Sequence, residues 1–112
     1  MPGEKILIVD DEKLVRWSLR KKCEDWGYLV IEAEDGATAL KAAHAESPDF
    51  VLLDVHLPDI NGVQVLEKLK EAADVRAVIM ITADPQLDDL KAAIKLGAFD
   101  FIGKPQIGRA HV

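Results

Sequence analysis

Acidic residues follow two apolar runs of the sequence, at positions where they could act together. The run FVLLD ends in Asp54, and the run KILIV at 5–9 is followed at once by Asp10 and Asp11. A lone carboxylate at a strand end is usually a capping group, whereas several carboxylates in one place repel one another and attract a cation. Oxygen ligands with room for water suit Mg²⁺. An aspartate beside such an ion is also a nucleophile toward phosphorus and can form an acyl phosphate.

Two further apolar segments end in polar groups that suit the same chemistry. The segment AVIMIT ends in Thr82, a hydroxyl donor, and the segment FDFIG is followed by Lys104 and then Pro105. A hydroxyl and an ammonium group could both offset charge on a transferring phosphoryl group. Each residue alone has an ordinary interpretation, because threonine is common in strands and lysine is commonly solvated. Together, four strand ends that carry an acid pair, an acid, a hydroxyl and an ammonium are much more specific.

Short apolar runs that alternate with helical patterns position these groups. Three of the five expected strands are apolar without alternation, which is typical of strands buried on both faces of a sheet. Gly27 and Gly97 follow helical patterns at positions suited to helix ends. The expected strands are 5–9, 29–33, 50–54, 77–82 and 99–103. The apolar positions that mark the four helices are Val15, Leu19, Cys23 and Trp26; Ala37, Leu40 and Ala43; Val65, Leu66 and Leu69; and Leu87, Leu90 and Ile94.

This alternation predicts an α/β fold with an open parallel sheet and right-handed crossovers. With five strands, the three-layer flavodoxin-like order 2-1-3-4-5 is favoured, and its crevice lies between the carboxyl ends of strands 1 and 3. Asp10 and Asp11 follow one of those strands, and Asp54 ends the other. The fold would therefore bring the three carboxylates into one pocket.

The composition fits one ordinary globular domain and limits the kinds of function. The chain has 112 residues, of which 49% are hydrophobic and 30% charged, and its formal net charge is −6. This acidity argues against direct nucleic-acid binding, which requires a basic surface. Cys23 is the single cysteine, so a reducing compartment is expected. With neither a secretory signal nor an apolar run long enough for a membrane span, we expect a cytoplasmic protein that does not associate with membranes.

The motifs and their order resemble the receiver domain of bacterial two-component response regulators. They are VDDE at 9–12, LLDVHLPDING at 52–62, MITA at 80–83 and GAFDFIGKP at 97–105. The resemblance spans residues 4–105, and we expect a single receiver domain over 1–112. The segments VRWSL at 15–19 and GAFDF are similar to receivers of the nitrogen-regulation type, which precede σ54-dependent activator domains.

The resemblance implies a phosphoryl-accepting switch and assigns roles to its residues. Asp54 would accept the phosphoryl group from a sensor histidine kinase. The domain would catalyse only this transfer and its own dephosphorylation, and it would not otherwise be an enzyme. Thr82 would hydrogen-bond the phosphoryl group, and Lys104 would pair with it. The implied Mg²⁺ ligands are Asp10 (through water), Asp11, Asp54 and the backbone carbonyl of His56.

The resemblance also implies how the phosphorylated state would be read. Phosphorylation would draw Thr82 inward, and Phe101, at the position of the family's aromatic switch residue, would take the space; Phe101 could equally be plain core. The surface of the fourth helix and fifth strand would then change for an effector domain or downstream protein. The Lys104–Pro105 bond would be cis. The side chains of His56 and Asp84 would either tune the lifetime of the phosphoryl group or lie in solvent or a turn.

Several other residues have plainer interpretations. We interpret Glu12 as a first-turn acid favoured by the helix dipole rather than a ligand. We expect Trp17 and Trp26 on the first helix; Trp17 could mark a partner surface, but hydrophobic cover is its plainer interpretation. The family continues after its lysine–proline pair with a fifth helix, whereas QIGRAHV at 106–112 is short and broken by glycine. Without that helix, one flank of the sheet would be covered by the first helix alone. A truncated or engineered receiver, or a homodimer that supplies the cover, would explain this departure.

Two alternative functions remain open. A phosphorylation-incompetent interaction or dimerisation module would keep the fold without the chemistry. A phosphohydrolase similar to the haloacid dehalogenases would also use an aspartate at a strand end. That class places a second acid two residues after the nucleophile, and His56 stands there instead.

Overall fold

The computed structural model describes residues 3–72, 75–83 and 86–104 of the chain. The elements are β1 (Lys5–Val9), α1 (Lys13–Asp25), β2 (Leu29–Ala33), α2 (Gly36–Glu46), β3 (Phe50–Asp54), α3 (Gly62–Ala72), β4 (Ala77–Thr82), α4 (Leu87–Lys95) and β5 (Asp100–Gly103). The five strands form one parallel sheet in the order β2-β1-β3-β4-β5. The expected fold class and strand order are therefore confirmed.

The strand register brings the predicted polar groups to one edge of the sheet. Val9 lies opposite Leu53 in the β1–β3 pair, so the residues that follow them, Asp10 and Asp54, leave the sheet at neighbouring positions. On the other side of β3, Thr82 ends β4 opposite Gly103, and Lys104 comes next. Four strands thus deliver their carboxyl-terminal side chains to the same edge.

Helices cover the two faces of the sheet unequally. α2, α3 and α4 pack on the larger core, where Leu7, Val51 and Met80 of the sheet are fully buried. On the opposite face, α1 packs through Leu19 and Cys23 against a smaller cluster that contains Ile6 and Ile8. The molecule therefore has three layers with its main core on the side of α2, α3 and α4.

The buried face of α4 differs from the one that the sequence predicts. Leu87 and Ile94 are each 63% exposed, and Ala93 is the fully buried residue of the helix. The small side chain of Ala93 lets the helix approach the core closely. A prediction that assigns the largest apolar side chains to the buried face does not identify this alanine. Trp17 is largely exposed, so its interpretation as hydrophobic cover is also wrong. Trp26, expected on the same helix, lies just beyond the end of α1 and is exposed too.

Two helix ends agree with the sequence. Gly27 and Gly97 have φ angles of 93° and 92°, in the left-handed region that glycine adopts without a steric cost. Each follows the last turn of a helix, as predicted. The segment 105–112, where the family's fifth helix would begin, lies outside the described residues. None of the helices in the described ranges has both the length and the apolar character needed to span a membrane.

Candidate functional site

Asp54 is the last residue of β3, and its carboxylate is buried at the carboxyl edge of the sheet. Its Oδ1 accepts a hydrogen bond from the backbone N–H of His56 at 3.1 Å. Its Oδ2 lies 2.9 Å from Nζ of Lys104, within ion-pair distance. That oxygen is buried and has no hydrogen bond of good geometry to the described residues. The carboxylate of Asp54 is therefore fixed at one oxygen and held chiefly by charge at the other.

Asp10 follows β1 and repeats this arrangement. Its Oδ1 accepts a hydrogen bond from the backbone N–H of Glu12 at 2.8 Å, and its Oδ2 lies 2.9 Å from Nζ of Lys104. Within the described residues, Oδ2 of Asp10 also lacks a well-formed hydrogen bond. The two buried aspartates thus share one ammonium group, each through an oxygen that lacks a well-formed hydrogen bond to the described residues.

Lys104 occupies the centre of the site. Its side chain is 7% exposed, and Nζ lies 2.9 Å from a carboxylate oxygen of each of Asp10, Glu12 and Asp54. Burial alone would lower the pKa of Lys104, but the three carboxylates outweigh burial and raise it. The backbone N–H of Lys104 donates to the carbonyl of Thr82 at 2.8 Å, which fixes the point where the lysine leaves the sheet.

The sequence does not predict that Glu12 joins this group. Carboxylate oxygens of Asp10, Asp11 and Glu12 lie within 4.8 Å of one another, a spacing that could hold a metal ion. Glu12 is the N-cap residue of α1, yet its side chain makes no capping hydrogen bond and accepts one from Lys104 instead. Its interpretation as a first-turn acid is therefore wrong. The direction of its side chain depends on a lysine 92 positions away, which no local pattern reveals.

We call Asp10, Asp11, Glu12, Asp54 and Lys104 the acid pocket. Burial is the largest cause of the raised pKa of Asp10 and of Asp54, and neighbouring carboxylates raise both further. The hydrogen bonds from backbone N–H groups and the nearby ammonium of Lys104 act in the opposite direction without overcoming burial. The fully ionised pocket is thus unfavourable as it stands, and an additional cation would stabilise it.

Thr82 and Phe101 lie on the two neighbouring strands that follow β3. Thr82 is buried at the end of β4, at the same sheet edge as the acid pocket. Phe101 lies opposite Met80 in the β4–β5 pair, is partly buried and packs against the main core. This packing is compatible with both interpretations of Phe101, as a core residue and as a switch.

The connection between β3 and α3, residues 55–61, folds back on Asp54. Gly62 donates its N–H to the carbonyl of Val55 at 2.7 Å, and His56 and Asn61 form an antiparallel bridge. A Cβ atom at position 62 would overlap the carbonyl oxygen of Asp54. Glycine therefore allows α3 to begin directly against Asp54. The side chain of His56 is exposed at the surface.

A brace from α1 supports the backbone of Asp10. Arg16 donates from Nη1 to the carbonyl of Asp10 at 2.6 Å and from Nε to Glu32 at 3.0 Å. Glu32, on β2, also accepts a hydrogen bond from Arg20 at 2.6 Å. Burial would raise the pKa of Glu32, but the two arginines outweigh burial and lower it. The brace is therefore a charged network at neutral pH, and it links three elements that the sequence pattern treats separately.

Two predicted site residues, Asp84 and Pro105, lie outside the described residues. The suggested influence of Asp84 on the lifetime of a phosphoryl group therefore stays a prediction. The cis Lys104–Pro105 bond does too.

Comparison with known proteins identifies the family of this chain. The sequence model of the response regulator receiver domain family matches residues 6–110. The chain belongs to this family, and so to the signalling switches of two-component systems. The more specific resemblance to receivers of σ54-dependent activators stays a prediction.

Two curated relatives show how the domain occurs elsewhere. The chain is 40% identical over 103 residues to the alkaline phosphatase synthesis transcriptional regulatory protein PhoP of Bacillus subtilis, covering 92% of this chain and 43% of that protein. It is 37% identical over 105 residues to the sporulation initiation phosphotransferase F of the same species, covering 94% of this chain and 85% of that protein. The chain thus spans about two fifths of the length of the first relative and most of the second.

Solved structures agree with the fold. A response regulator receiver domain protein from Methanospirillum hungatei superimposes with a TM-score of 0.87 at 31% identity, covering 92% of this chain and 82% of that one. A response regulator protein from Burkholderia pseudomallei, with a phosphorylated aspartic acid, calcium ion and citrate, gives a TM-score of 0.86 at 27% identity. That match covers 92% of this chain and 61% of the Burkholderia chain.

Proposed function

We propose that the chain is a single receiver domain in which Asp54 accepts a phosphoryl group from a sensor histidine kinase. The observation that carries this proposal is the buried Asp54 carboxylate, which shares the ammonium of Lys104 with Asp10 at 2.9 Å on each side. An oxygen of Asp54 would form the new bond to phosphorus. The phosphorus–nitrogen bond of the donor phosphohistidine would break, and the imidazole would keep the electron pair.

The donor set of the pocket fits Mg²⁺. It offers oxygen ligands alone, and two buried carboxylate oxygens have no well-formed hydrogen bond within the described structure. Asp10, Asp11, Asp54 and the backbone carbonyl of His56 would hold the ion, Asp10 through water. Asp54 lies outside the three-acid group with the 4.8 Å spacing and is joined to it through Lys104. A bound Mg²⁺ would offset negative charge on the transferring phosphoryl oxygens.

Lys104 and Thr82 would then hold the phosphorylated state. The Lys104 ammonium, which already faces Asp54, would pair with a phosphoryl oxygen, and Thr82 would hydrogen-bond another. Movement of Thr82 would let Phe101 shift and would alter the surface of α4 and β5. Exposed apolar side chains on or beside these elements support a role in recognition: Leu87, Ile94, Phe99 and Ile102.

The output of the switch would lie in another domain or protein. One relative is named as a transcriptional regulator and another as a phosphotransferase, which favours transcription control or a phosphorelay. The phosphorylated aspartic acid in the Burkholderia structure supports the same chemistry here. The proposal includes a cytoplasmic location, and a homodimer would be one way to cover the partly exposed sheet face near Leu52.

Incubation with acetyl phosphate and Mg²⁺, followed by intact mass measurement, tests the proposal. We expect the wild-type chain to gain one phosphoryl group per molecule. Asp54→Asn should gain none, whereas Asp25→Asn, a matched change on the exposed end of α1, should behave as wild type.

The other results would each contradict the proposal in a different way. A phosphoryl group retained by Asp54→Asn would place the acceptor elsewhere. No gain by well-folded wild-type protein, with a histidine kinase as an additional donor, would favour the interaction module. Repeated turnover of a phosphate ester would favour a phosphohydrolase.

A further inference from the structure

Asp59 lies in the connection between β3 and α3, but its carboxylate binds a different element. Its Oδ1 accepts a hydrogen bond from the N–H of Gly36 at 2.8 Å, and its Oδ2 accepts one from Ala37 at 2.9 Å. Both donors belong to the first turn of α2, where backbone N–H groups have no partner within the helix. A negative charge is also favoured there by the helix dipole. The hydrogen bonds, first that from Gly36 and then that from Ala37, lower the pKa of Asp59.

A second acid caps the same helix end in the ordinary local way. Asp35 is the N-cap residue of α2, and its side chain accepts a hydrogen bond from the N–H of Thr38 at 2.7 Å. Asp35 and Asp59 thus divide the donors of one helix end between them. The difference is that Asp35 binds within its own segment, whereas Asp59 joins α2 to a loop 23 residues further along the chain.

Apolar packing reinforces the link that Asp59 makes. A Cβ atom at Gly36 would lie 2.5 Å from Cγ1 of Ile60 and 3.0 Å from Cγ2 of Val65, so glycine at this position lets the loop approach the helix. Ile60 also packs against the main core. The loop is therefore attached to α2 through a carboxylate and an apolar side chain at adjacent positions.

The other fixed points of this loop lie at its two ends. At its start, the N–H of His56 donates to the carboxylate of Asp54, and Leu57 packs against the main core. At its end, the N–H of Gly62 donates to the carbonyl of Val55. Asp59 attaches the middle of the loop, between these points, to a separate element. Release of that attachment would leave the backbone around His56 less restrained without changing any group of the acid pocket.

We propose that Asp59 is a positioning residue that, by holding this loop against α2, sets the affinity of the acid pocket for a divalent cation. The inference rests on the proposed function, because it concerns the same pocket. Interactions that orient ligands from outside a metal site commonly change metal affinity by about 10- to 100-fold. Because the lost interaction is exposed and indirect, we expect an effect of about 10-fold, at the lower end of this range.

Binding of Mn²⁺ to the unphosphorylated full chain, measured from the electron paramagnetic resonance signal of the free ion, tests this role. Asp59→Ala should weaken binding by about 10-fold. Asp35→Ala is the matched control, because it removes a cap from the same helix end without touching the loop. It should leave Mn²⁺ binding within about two-fold of wild type even where it lowers the melting temperature.

A conservative variant and a rate measurement separate positioning from general weakening of the fold. Asp59→Asn retains one acceptor oxygen and should bind Mn²⁺ with intermediate affinity; it also serves if Asp59→Ala does not fold. Phosphorylation of Asp59→Ala by acetyl phosphate should be slow at low Mg²⁺ concentration and return to within about two-fold of wild type at saturating Mg²⁺, because only affinity has changed.

Two results would overturn the inference while leaving the proposed function intact. One is unchanged Mn²⁺ affinity in Asp59→Ala. The other is an equal loss in Asp35→Ala, which would show that stability of α2 alone matters. Failure of the wild-type chain to bind Mn²⁺ would instead contradict the metal site of the proposed function, and this inference with it.

Discussion

Asp54 directly precedes the loop 55–61 and Asp59 lies within it, yet their surroundings act on their charges in opposite ways. Asp54 is buried, one of its oxygens lacks a well-formed hydrogen bond in the described structure, and its pKa is raised. Asp59 is exposed, its two oxygens accept hydrogen bonds from the first turn of α2, and its pKa is lowered. The same side chain is thus strained electrostatically at one position and fully satisfied at the other.

The same contrast separates two groups of carboxylates in the molecule. Asp10 behaves like Asp54, because burial and a neighbouring charge raise its pKa. Glu32 behaves like Asp59, because its partners lower its pKa. Carboxylates whose ionised form is destabilised by their surroundings are typical of binding and catalytic sites. Carboxylates whose charge is stabilised by hydrogen bonds and ion pairs instead contribute to the stability of the fold. The contrast therefore predicts opposite effects when charge is removed from the two groups.

Removal of Lys104 should have the largest effect on stability. Lys104→Ala would leave Asp10 and Asp54 buried without their shared ammonium, and loss of one member of a buried ion pair costs about 3–5 kcal/mol. Urea denaturation should show this loss, and millimolar Mg²⁺ should recover part of it by supplying another positive charge. Lys68→Ala, on an exposed part of α3, serves as the control. Wild-type stability in Lys104→Ala would show that the ammonium does not compensate the buried charges.

Gly62→Ala should cause the second largest loss of stability, because it disturbs the loop that connects Asp54 to Asp59 and α3. The new Cβ would overlap the carbonyl oxygen of Asp54 and come within 2.9 Å of Cα of Val55, so the backbone would have to move. We expect a loss of about 3 kcal/mol in urea denaturation, the upper part of the usual range for overpacking.

Gly103→Ala is the matched control, because its added Cβ would come no nearer than 4.0 Å to the described residues other than its chain neighbours, at the carbonyl oxygen of Thr82. Near-wild-type stability is expected for this variant. Equal losses in the two variants would indicate that the close approach at position 62 is not what matters.

Neutralisation of Asp54 should raise the stability of the fold, by less than the preceding variants lower it. Because the surroundings raise the pKa of Asp54, its ionised form is less favourable in the folded protein than in the unfolded chain. Asp54→Asn, measured without divalent cations at neutral pH, should therefore melt at a higher temperature than wild type even though it loses the phosphoacceptor. A lower melting temperature would mean that the ion pair with Lys104 outweighs burial.

The sequence predicts much of this molecule because its strands are short, apolar and followed by distinctive polar groups. The structure reproduces the expected strands, with the fifth beginning at Asp100 rather than one residue earlier. It also brings Asp10, Asp54 and Lys104 together, which follows from strand order alone. Parallel strands and their carboxyl ends are thus readable from local pattern and topology.

The missed residues depend on partners that are distant in sequence. Glu12 turns toward Lys104, and Asp59 turns toward Gly36, so neither role has a local signature. The exposed apolar residues of α4 were missed for another reason, because small Ala93 rather than Leu87 sets how closely that helix packs. Side-chain direction and helix approach are tertiary properties, and periodicity constrains them only weakly.

The smallest change in stability should come from Glu32→Gln, which alters one of the carboxylates whose charge is stabilised by its partners. The partly exposed pairs with Arg16 and Arg20 suggest a loss of about 1 kcal/mol or less at neutral pH. Since the pKa of Glu32 is lowered, this contribution is fully present above the ordinary carboxyl pKa of about 4 and disappears only as the pH falls through the lower folded value.

The advantage of Asp54→Asn should change with pH in a different range. The pKa of Asp54 is raised, so the penalty of its charge begins to disappear as the pH falls through the folded pKa and is gone below about 4. Urea denaturation midpoints, measured between about pH 7 and pH 3, should therefore show the stability of Asp54→Asn approaching that of wild type as the pH falls. The stability deficit of Glu32→Gln should persist over the same pH range and disappear only at lower pH. Glu34→Gln, an exposed change next to β2, controls for the loss of any surface charge. If the stabilities of both variants approached that of wild type over the same pH range, burial and hydrogen bonding would not shift the pKa values of Asp54 and Glu32 in opposite directions.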